Sequence, residues 1–115
     1  MTAIIIDGKD VADRMQIQIA AEAARFKAKH GYPPGLGAVL AGDDPASAQY
    51  VRMKSRACER VGISSVSKLM NASSTQAEVE EAIASLNADP KVHGILVQLP
   101  LPKGINEEAA LRLVS

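Results

Sequence analysis

Short apolar runs alternate along this 115-residue chain with longer segments that have helical periodicity. The runs at positions 4–6, 36–41 and 95–99 are typical of strands that are buried on both faces of a sheet. A weaker run at 66–70 brings the number of predicted strands to four, and a helical segment follows each strand. This alternation predicts an α/β fold, a three-layer αβα domain with a mainly parallel sheet of about four strands.

The first two predicted helices have clear boundaries. Apolar residues recur every three or four positions between 9 and 30, and Gly31 then ends this helix. Asp44 can cap the second helix, Pro45 suits its first position, and Gly62 ends it. We expect the first helix to bury one apolar face, formed by Ala12, Met15, Ile19, Ala23 and Phe26.

The last two predicted helices also begin with capping residues. Thr75 and Glu78 have the spacing of a capping box at the start of the third helix. Asn106, followed by two glutamates, opens a fourth helix that we expect the chain end to cut short. The apolar face of the third helix comprises Val79, Ile83 and Leu86.

Composition restricts the functional classes. The chain has 13 basic and 13 acidic side chains and no formal net charge, so we expect no nucleic-acid or membrane partner. Only three residues are aromatic, which argues against a platform for base stacking. The single cysteine, Cys58, excludes an internal disulfide and is expected to be a small buried hydrophobe. The first apolar run is too short for a signal peptide or a membrane span, so a cytoplasmic location is expected.

One charged residue lies on the predicted inner face of the second helix. At about 100° per residue, Tyr50, Ala57 and Val61 define an inward stripe, and Lys54 and Ser47 flank it at about 40° and about 60°. In the simpler interpretation, the lysine stem covers apolar surface while the ammonium reaches water. In the functional interpretation, Lys54 points into a cleft beside Tyr50, where partial burial suits it to exchange protons.

A second polar residue interrupts an apolar segment. Gln98 lies at the carboxyl end of the run 95–99, and ligands bind beyond this edge in open parallel sheets. Because the second helix starts at the same edge, we expect Ser47, Tyr50 and Lys54 to lie near Gln98. The simpler alternative is a glutamine whose amide binds a loop backbone. The Leu-Pro-Leu-Pro sequence that follows predicts a stiff apolar ledge, in which a cis bond is possible.

Other chemically suggestive residues do not form a site. His30 and His93 lack the spacing of metal ligands, and we expect them at a helix end and in a turn. Asp43 and Asp44 are expected to serve as turn and cap, so the sequence predicts no metal site. The Gly-Leu-Gly at 35–37 precedes a strand, whereas a dinucleotide-binding loop follows one, so no cofactor-binding residues are predicted in this chain.

The segments "GDDPASAQYVRMKSRACERVGI" and "GILVQLPLPKGIN" closely resemble the bifunctional methylenetetrahydrofolate dehydrogenase/methenyltetrahydrofolate cyclohydrolase family. The segments "IIDGKDVA" and "PPGLGAVLAGDDPAS" match it as well, so the resemblance covers the whole chain. It implies an enzyme of one-carbon metabolism with a folate substrate and NADP, or NAD, as cofactor. Such an enzyme oxidises methylenetetrahydrofolate to methenyltetrahydrofolate and hydrolyses that product to formyltetrahydrofolate.

The resemblance also implies roles for individual residues. Tyr50 would stack on the aminobenzoyl portion of the folate and position Lys54, the main catalytic group in hydration and ring opening. Gln98 would accept a hydrogen bond from Lys54 and favour its neutral form, and Ser47 would contribute a supporting hydroxyl. The pterin pocket would be lined by Val97, Leu99 and Pro100.

Family members continue beyond the part that this sequence matches. They carry an aspartate that binds the pterin, a Rossmann domain for the nicotinamide cofactor, and a C-terminal helix that returns to the first domain. We therefore expect residues 1–115 to be the folate-binding catalytic domain of a longer, homodimeric enzyme. The 115 residues alone are expected to lack dehydrogenase activity and to bind folate weakly.

Two alternatives from other classes stay open. Short-chain dehydrogenases also contain Tyr-x-x-x-Lys, but they need a glycine-rich loop after the first strand, which the segment 4–12 lacks. A non-catalytic α/β domain for ligand binding or protein interaction would keep the fold without needing a tuned lysine.

Overall fold

The computed structural model describes residues 2–115 and contains four helices and three strands. In chain order these are α1 (Gly8–His30), β1 (Gly35–Ala41), α2 (Pro45–Val61), β2 (Ser64–Met70), α3 (Gln76–Ala88), β3 (Gly94–Val97) and α4 (Glu107–Arg112). The strands form one parallel sheet in the order β2-β1-β3. Right-handed crossovers from β1 to β2 and from β2 to β3 run in opposite directions, so α2 and α3 cover opposite faces. The predicted αβα architecture is confirmed.

The sheet has three strands, not the four that the apolar runs predicted. Positions 4–6 form no strand, and Ile4 and Ile5 are 90% and 91% exposed. A strand requires a neighbour for its backbone hydrogen bonds, and no strand within residues 2–115 lies beside this segment. The weaker run at 66–70 is a strand, β2, which begins two residues earlier than predicted, at Ser64.

The boundaries of α1 are confirmed, but its predicted buried face is not. Asp7 caps the helix by accepting from the backbone N–H of Lys9, and Gly31 ends it with a φ of 83°. Ala23 is the only fully buried residue of α1, and Met15 is 55% exposed. The second half of α1 packs on α2, whereas positions 8–15 are all exposed, so the apolar periodicity extends beyond the part of the helix that has a partner.

The helix α2 has the predicted ends and a different inner face. Its fully buried residues are Ser47, Val51, Cys58 and Val61. This stripe is rotated by about 70° from the predicted one, because Ser47 and Cys58 are buried whereas Tyr50 is 54% exposed. Lys54 lies on the same side of α2 as this stripe, two helical turns after Ser47 and one turn before Cys58, although its own side chain is exposed.

The hydrophobic core lies between β1, β3 and α3. Val39, Val79 and Ile83 have no exposed surface, and Leu86 is nearly as buried, so the predicted inner face of α3 is confirmed. The predicted capping box is also present: Thr75 Oγ1 accepts from the backbone N–H of Glu78, whose carboxylate accepts from the Thr75 N–H.

The last strand and the last helix are both shorter than predicted. The strand β3 ends at Val97, although the N–H of Gln98 still donates to the carbonyl of Val39 at 2.9 Å. The helix α4 ends at Arg112 rather than at the chain end. Asn87 Nδ2 donates to the carbonyl of Leu113 at 2.7 Å, which satisfies a backbone group just after this helix.

The amino edge of the sheet is closed by contacts that the sequence did not predict. The N–H of Gly35 donates to Nδ1 of His93 at 3.0 Å, and His93 stacks on Tyr32. A β-carbon at position 35 would lie 1.9 Å from the carbonyl oxygen of Lys91, so only glycine fits there.

Candidate active site

The loops after β1 and β3 meet at the carboxyl edge of the sheet. The chain leaves β1 for α2 on one face and leaves β3 toward α4, which packs with α3 on the other, so the two connections diverge at this edge. Such a divergence opens a crevice where α/β proteins bind ligands. Asp44 fixes the start of α2 here, because its carboxylate accepts from the N–H of Ala46 at 3.0 Å and from Ser47 Oγ at 3.4 Å.

Gln98 is held firmly at this edge. Its backbone N–H donates to Val39, which continues the ladder between β1 and β3 by one residue. Its side chain is 9% exposed, and its Nε2 donates to the carbonyl of Leu99 at 3.2 Å. With one end of the amide occupied in this way, the Oε1 atom is free to accept a hydrogen bond from α2.

Lys54 supplies that hydrogen bond. Its Nζ donates to Gln98 Oε1 at 2.8 Å, so the predicted contact between the two side chains is confirmed. The predicted partial burial of Lys54 is not confirmed, because its side chain lies on the exposed surface along the edge of the crevice. Gln98 is a neutral partner, and none of the three ion pairs within residues 2–115 includes Lys54. The amide therefore orients the amine without neutralising a positive charge.

Tyr50 lies one helical turn before Lys54 and presents its ring to solvent, with the residue 54% exposed. The predicted packing of the two side chains is not seen as a cation–π contact, since the one such contact in the described residues joins Lys91 and Tyr32. An exposed aromatic face beside a crevice is a surface on which a flat ligand can stack.

The predicted ledge after Gln98 has both exposed and buried parts. Leu99 and Pro100 face solvent, and the peptide bond between them is cis. Val97, by contrast, lies in the hydrophobic core, and Leu101 is buried there as well. A neighbouring cavity of about 240 Å³ is lined by Ala41, Gly42, Asp43, Asp44, Ala72, Pro100, Leu101, Pro102 and Lys103.

One polar contact of this ledge was missed in the sequence. The carboxylate of Glu107 accepts a hydrogen bond from the backbone N–H of Leu101 at 2.8 Å. The acidic pair after Asn106 indicated only a helix start, and nothing in its spacing identifies a carboxylate that reaches back to the preceding loop.

Two other findings concern the chemistry of the chain. Cys58 is buried on the inner side of α2, as expected, and this burial raises the pKa of its thiol, which disfavours the reactive thiolate. Within residues 2–115, no group of three or more His, Cys, Asp or Glu side chains is arranged to hold a metal ion. In the same part of the chain, every helix falls short of the length or apolarity needed to span a membrane.

Comparison with known proteins identifies one family. The family model of the tetrahydrofolate dehydrogenase/cyclohydrolase catalytic domain matches residues 6–115. The bifunctional protein FolD of Rhodopseudomonas palustris is 50% identical over 111 residues, which are 96% of this chain and 38% of that protein. The chain therefore spans about two-fifths of the length of the curated relatives it matches.

Solved structures agree with the sequence comparison. The bifunctional FolD dehydrogenase/cyclohydrolase of Campylobacter jejuni superposes with a TM-score of 0.91 at 39% identity, over 95% of this chain and 38% of that one. The enzyme of Trypanosoma brucei, solved with NADP cofactor and an inhibitor, gives a TM-score of 0.91 at 35% identity, over 100% of this chain and 39% of that one.

Proposed function

Since the chain belongs to the tetrahydrofolate dehydrogenase/cyclohydrolase family, we propose that residues 1–115 form the folate-binding catalytic domain of a bifunctional enzyme. The substrate is methylenetetrahydrofolate, which is oxidised to methenyltetrahydrofolate and then hydrolysed to formyltetrahydrofolate. The observation that carries this proposal is the 2.8 Å hydrogen bond between Lys54 and Gln98 at the carboxyl edge of the sheet.

In the hydrolytic step, Lys54 acts as a proton carrier. The neutral amine accepts a proton from the water that adds to the methenyl carbon. The resulting ammonium returns a proton to the ring nitrogen when the carbon–nitrogen bond breaks, and the added hydroxyl loses its proton to solvent as the formyl carbonyl forms. Gln98 Oε1 can accept a hydrogen bond from either form of Lys54, so the amine keeps its orientation throughout the transfer.

In the oxidative step, the domain holds and orients the folate while a hydride passes to a nicotinamide cofactor. We propose that the cofactor is NADP, or NAD, and that it is bound by the part of the enzyme that follows these 115 residues. The Trypanosoma brucei relative, which was solved with NADP, has more than twice the length that this chain spans. Assembly as a homodimer and a cytoplasmic location stay predictions from the family resemblance.

The other edge residues provide the surface for the ligand. Tyr50 offers an exposed ring on which the aminobenzoyl group stacks, and Leu99 and Pro100 form an apolar wall for the pterin. Val97 anchors the strand that precedes this wall in the core, and Ser47 contributes by holding the start of α2 through its hydrogen bond to Asp44.

NMR titration of the ¹⁵N-labelled chain with 5-formyltetrahydrofolate, a stable folate, tests the site. We expect weak binding, with the largest shifts at Tyr50, Lys54 and Gln98 and with little change at Arg52, on the opposite side of α2. Lack of any shift at millimolar ligand, or shifts confined to other surfaces, would refute the proposed site. The same preparation should not reduce NADP with methylenetetrahydrofolate, and robust reduction would contradict the location proposed for the cofactor.

A second candidate function is a folate-binding domain that does not catalyse. The exposure of Lys54 favours it, because a solvated amine does not require a catalytic role. Such a domain would give the same NMR shifts, but hydrolysis of 5,10-methenyltetrahydrofolate would not depend on Lys54.

A further inference from the structure

The segment after Gln98 has a single backbone donor between two prolines. Pro100 and Pro102 lack an N–H group, so within positions 100–102 only Leu101 can donate a backbone hydrogen bond. Leu101 is buried, and a buried N–H without a partner destabilises the fold. The carboxylate of Glu107 accepts this one hydrogen bond at 2.8 Å.

The carboxylate is itself anchored to the core. Asn106, the residue before Glu107, donates its N–H to Gln76 Oε1 at 2.7 Å, and Gln76 Nε2 donates to the Asn106 carbonyl at 3.4 Å. Gln76 is the first residue of α3, whose Ile83 is fully buried. The start of α4 therefore moves with the core, and Glu107 is only half exposed.

A short stretch of backbone connects the Glu107 contact to Lys54. Leu101 follows Gln98 by three residues, and the Gln98 amide donates to the carbonyl of Leu99 within that stretch. The segment is held at one end by the Gln98–Val39 hydrogen bond and at the other by Glu107. Displacement of Leu101 would shift the Leu99 carbonyl and turn the amide whose oxygen binds Lys54.

We propose that Glu107 is a positioning residue for the folate site. It fixes the apolar wall of Leu99 and Pro100 and, through the Leu99 carbonyl, the orientation of the Gln98 amide. The effect of Glu107 on folate rests on the function proposed above, whereas its effect on Gln98 does not.

The test compares Glu107→Ala and Glu107→Gln with Glu108→Ala. Glu108 is the matched control, because it lies on the same helix and its carboxylate pairs on the surface with Arg112. Two measurements are made on each ¹⁵N-labelled chain: the resonances of the Gln98 side-chain amide and the affinity for 5-formyltetrahydrofolate. We expect Glu107→Ala to shift the Gln98 amide and to weaken folate binding by about tenfold. Glu107→Gln retains an acceptor oxygen, so its Gln98 resonances and its folate affinity should lie closer to those of the wild type than to those of Glu107→Ala. Glu108→Ala should match the wild type in both measurements.

Each result decides the proposal. If Glu107→Ala moves the Leu101 amide but leaves the Gln98 amide and the affinity at control values, Glu107 only caps a turn and the proposal is wrong. Should Glu107→Ala fail to fold, Glu107→Gln decides alone: a partial shift of the Gln98 amide with an affinity loss of less than tenfold supports the proposal, and wild-type values of both overturn it. If the wild type does not bind folate, the proposed function fails, while the Gln98 resonances still test the positioning role.

Discussion

The Nζ atom of Lys54 lies 2.8 Å from Oε1 of Gln98, so one hydrogen bond joins the middle of α2 to the residue that follows β3. The two residues are 44 positions apart in the chain, and the parallel sheet brings them together. Because the acceptor is a neutral amide, the amine is oriented without being held in an ion pair. A proton carrier needs this combination of fixed position and free exchange.

Replacement of Lys54 by glutamine removes the proton carrier and leaves a shorter, uncharged polar side chain. We expect hydrolysis of 5,10-methenyltetrahydrofolate to fall by about 100-fold or more. The rate is measured with residues 1–115 joined to the remaining sequence of the Campylobacter jejuni relative. Stability should change by no more than about 0.5 kcal/mol, since Lys54 is exposed. Arg52→Gln, on the opposite side of α2, is the control, and a full rate in Lys54→Gln would remove the role assigned to the lysine.

Two substitutions of Gln98 separate orientation from charge. Gln98→Ala deletes the acceptor for Lys54 and should lower both activities by about tenfold. Gln98→Glu keeps an acceptor oxygen but places a carboxylate beside the amine, which stabilises the ammonium form. Hydrolysis should therefore also be slow in Gln98→Glu, although Lys54 remains in position. Measured kcat values at wild-type level in Gln98→Glu would show that a neutral partner is not required.

Gly35→Ala tests the close contact at the amino edge of the sheet. The added β-carbon would lie 1.9 Å from the carbonyl oxygen of Lys91, so β1 or the turn before β3 must shift. We expect the free energy of unfolding in urea to fall by about 3 kcal/mol. Gly8→Ala is the matched control, because its β-carbon would meet no atom within 4 Å and the change should be neutral or slightly stabilising. Equal stability of the two variants would contradict the contact.

The burial of Cys58 predicts both its reactivity and a pH dependence. Burial raises the pKa of the thiol in the folded state, so the folded protein favours the protonated form. The resulting stabilisation is fully present below the thiol pKa of the unfolded chain, about 8.5, and is lost as the pH rises through the folded value. Wild type should lose stability at alkaline pH relative to Cys58→Ala, as measured by urea unfolding.

Reaction of Cys58 with a disulfide reagent at pH 8 should be slow until denaturant is added, and rapid labelling of the native chain would contradict this.

Features that depend on neighbouring residues were predicted well from the sequence. Asp44 and Thr75 cap their helices through atoms within three residues, so the pattern of residue types was sufficient to locate these helix starts. The contact of Lys54 with Gln98 was also predicted, because the strand-helix alternation determines which loops share an edge.

Features that depend on distant partners were predicted less well. Positions 4–6 have the composition of a strand, yet a strand exists only beside another strand, and none lies next to them within residues 2–115. The predicted inner face of α2 is wrong because it includes Tyr50, which is 54% exposed, whereas Ser47 and Cys58 are buried. The contact of Glu107 with Leu101 depends on the path of a proline-rich loop, which residue types alone do not determine.

The uncharged nature of Gln98 has a consequence for how the site responds to ionic strength. Salt weakens attraction between opposite charges at a surface, as in the pair of Lys9 and Asp13 on α1. The link between Lys54 and Gln98 contains one charge at most, so dissolved ions have little attraction to screen there. The distance between α2 and β3 at this edge should therefore be the same at low and at high salt concentration.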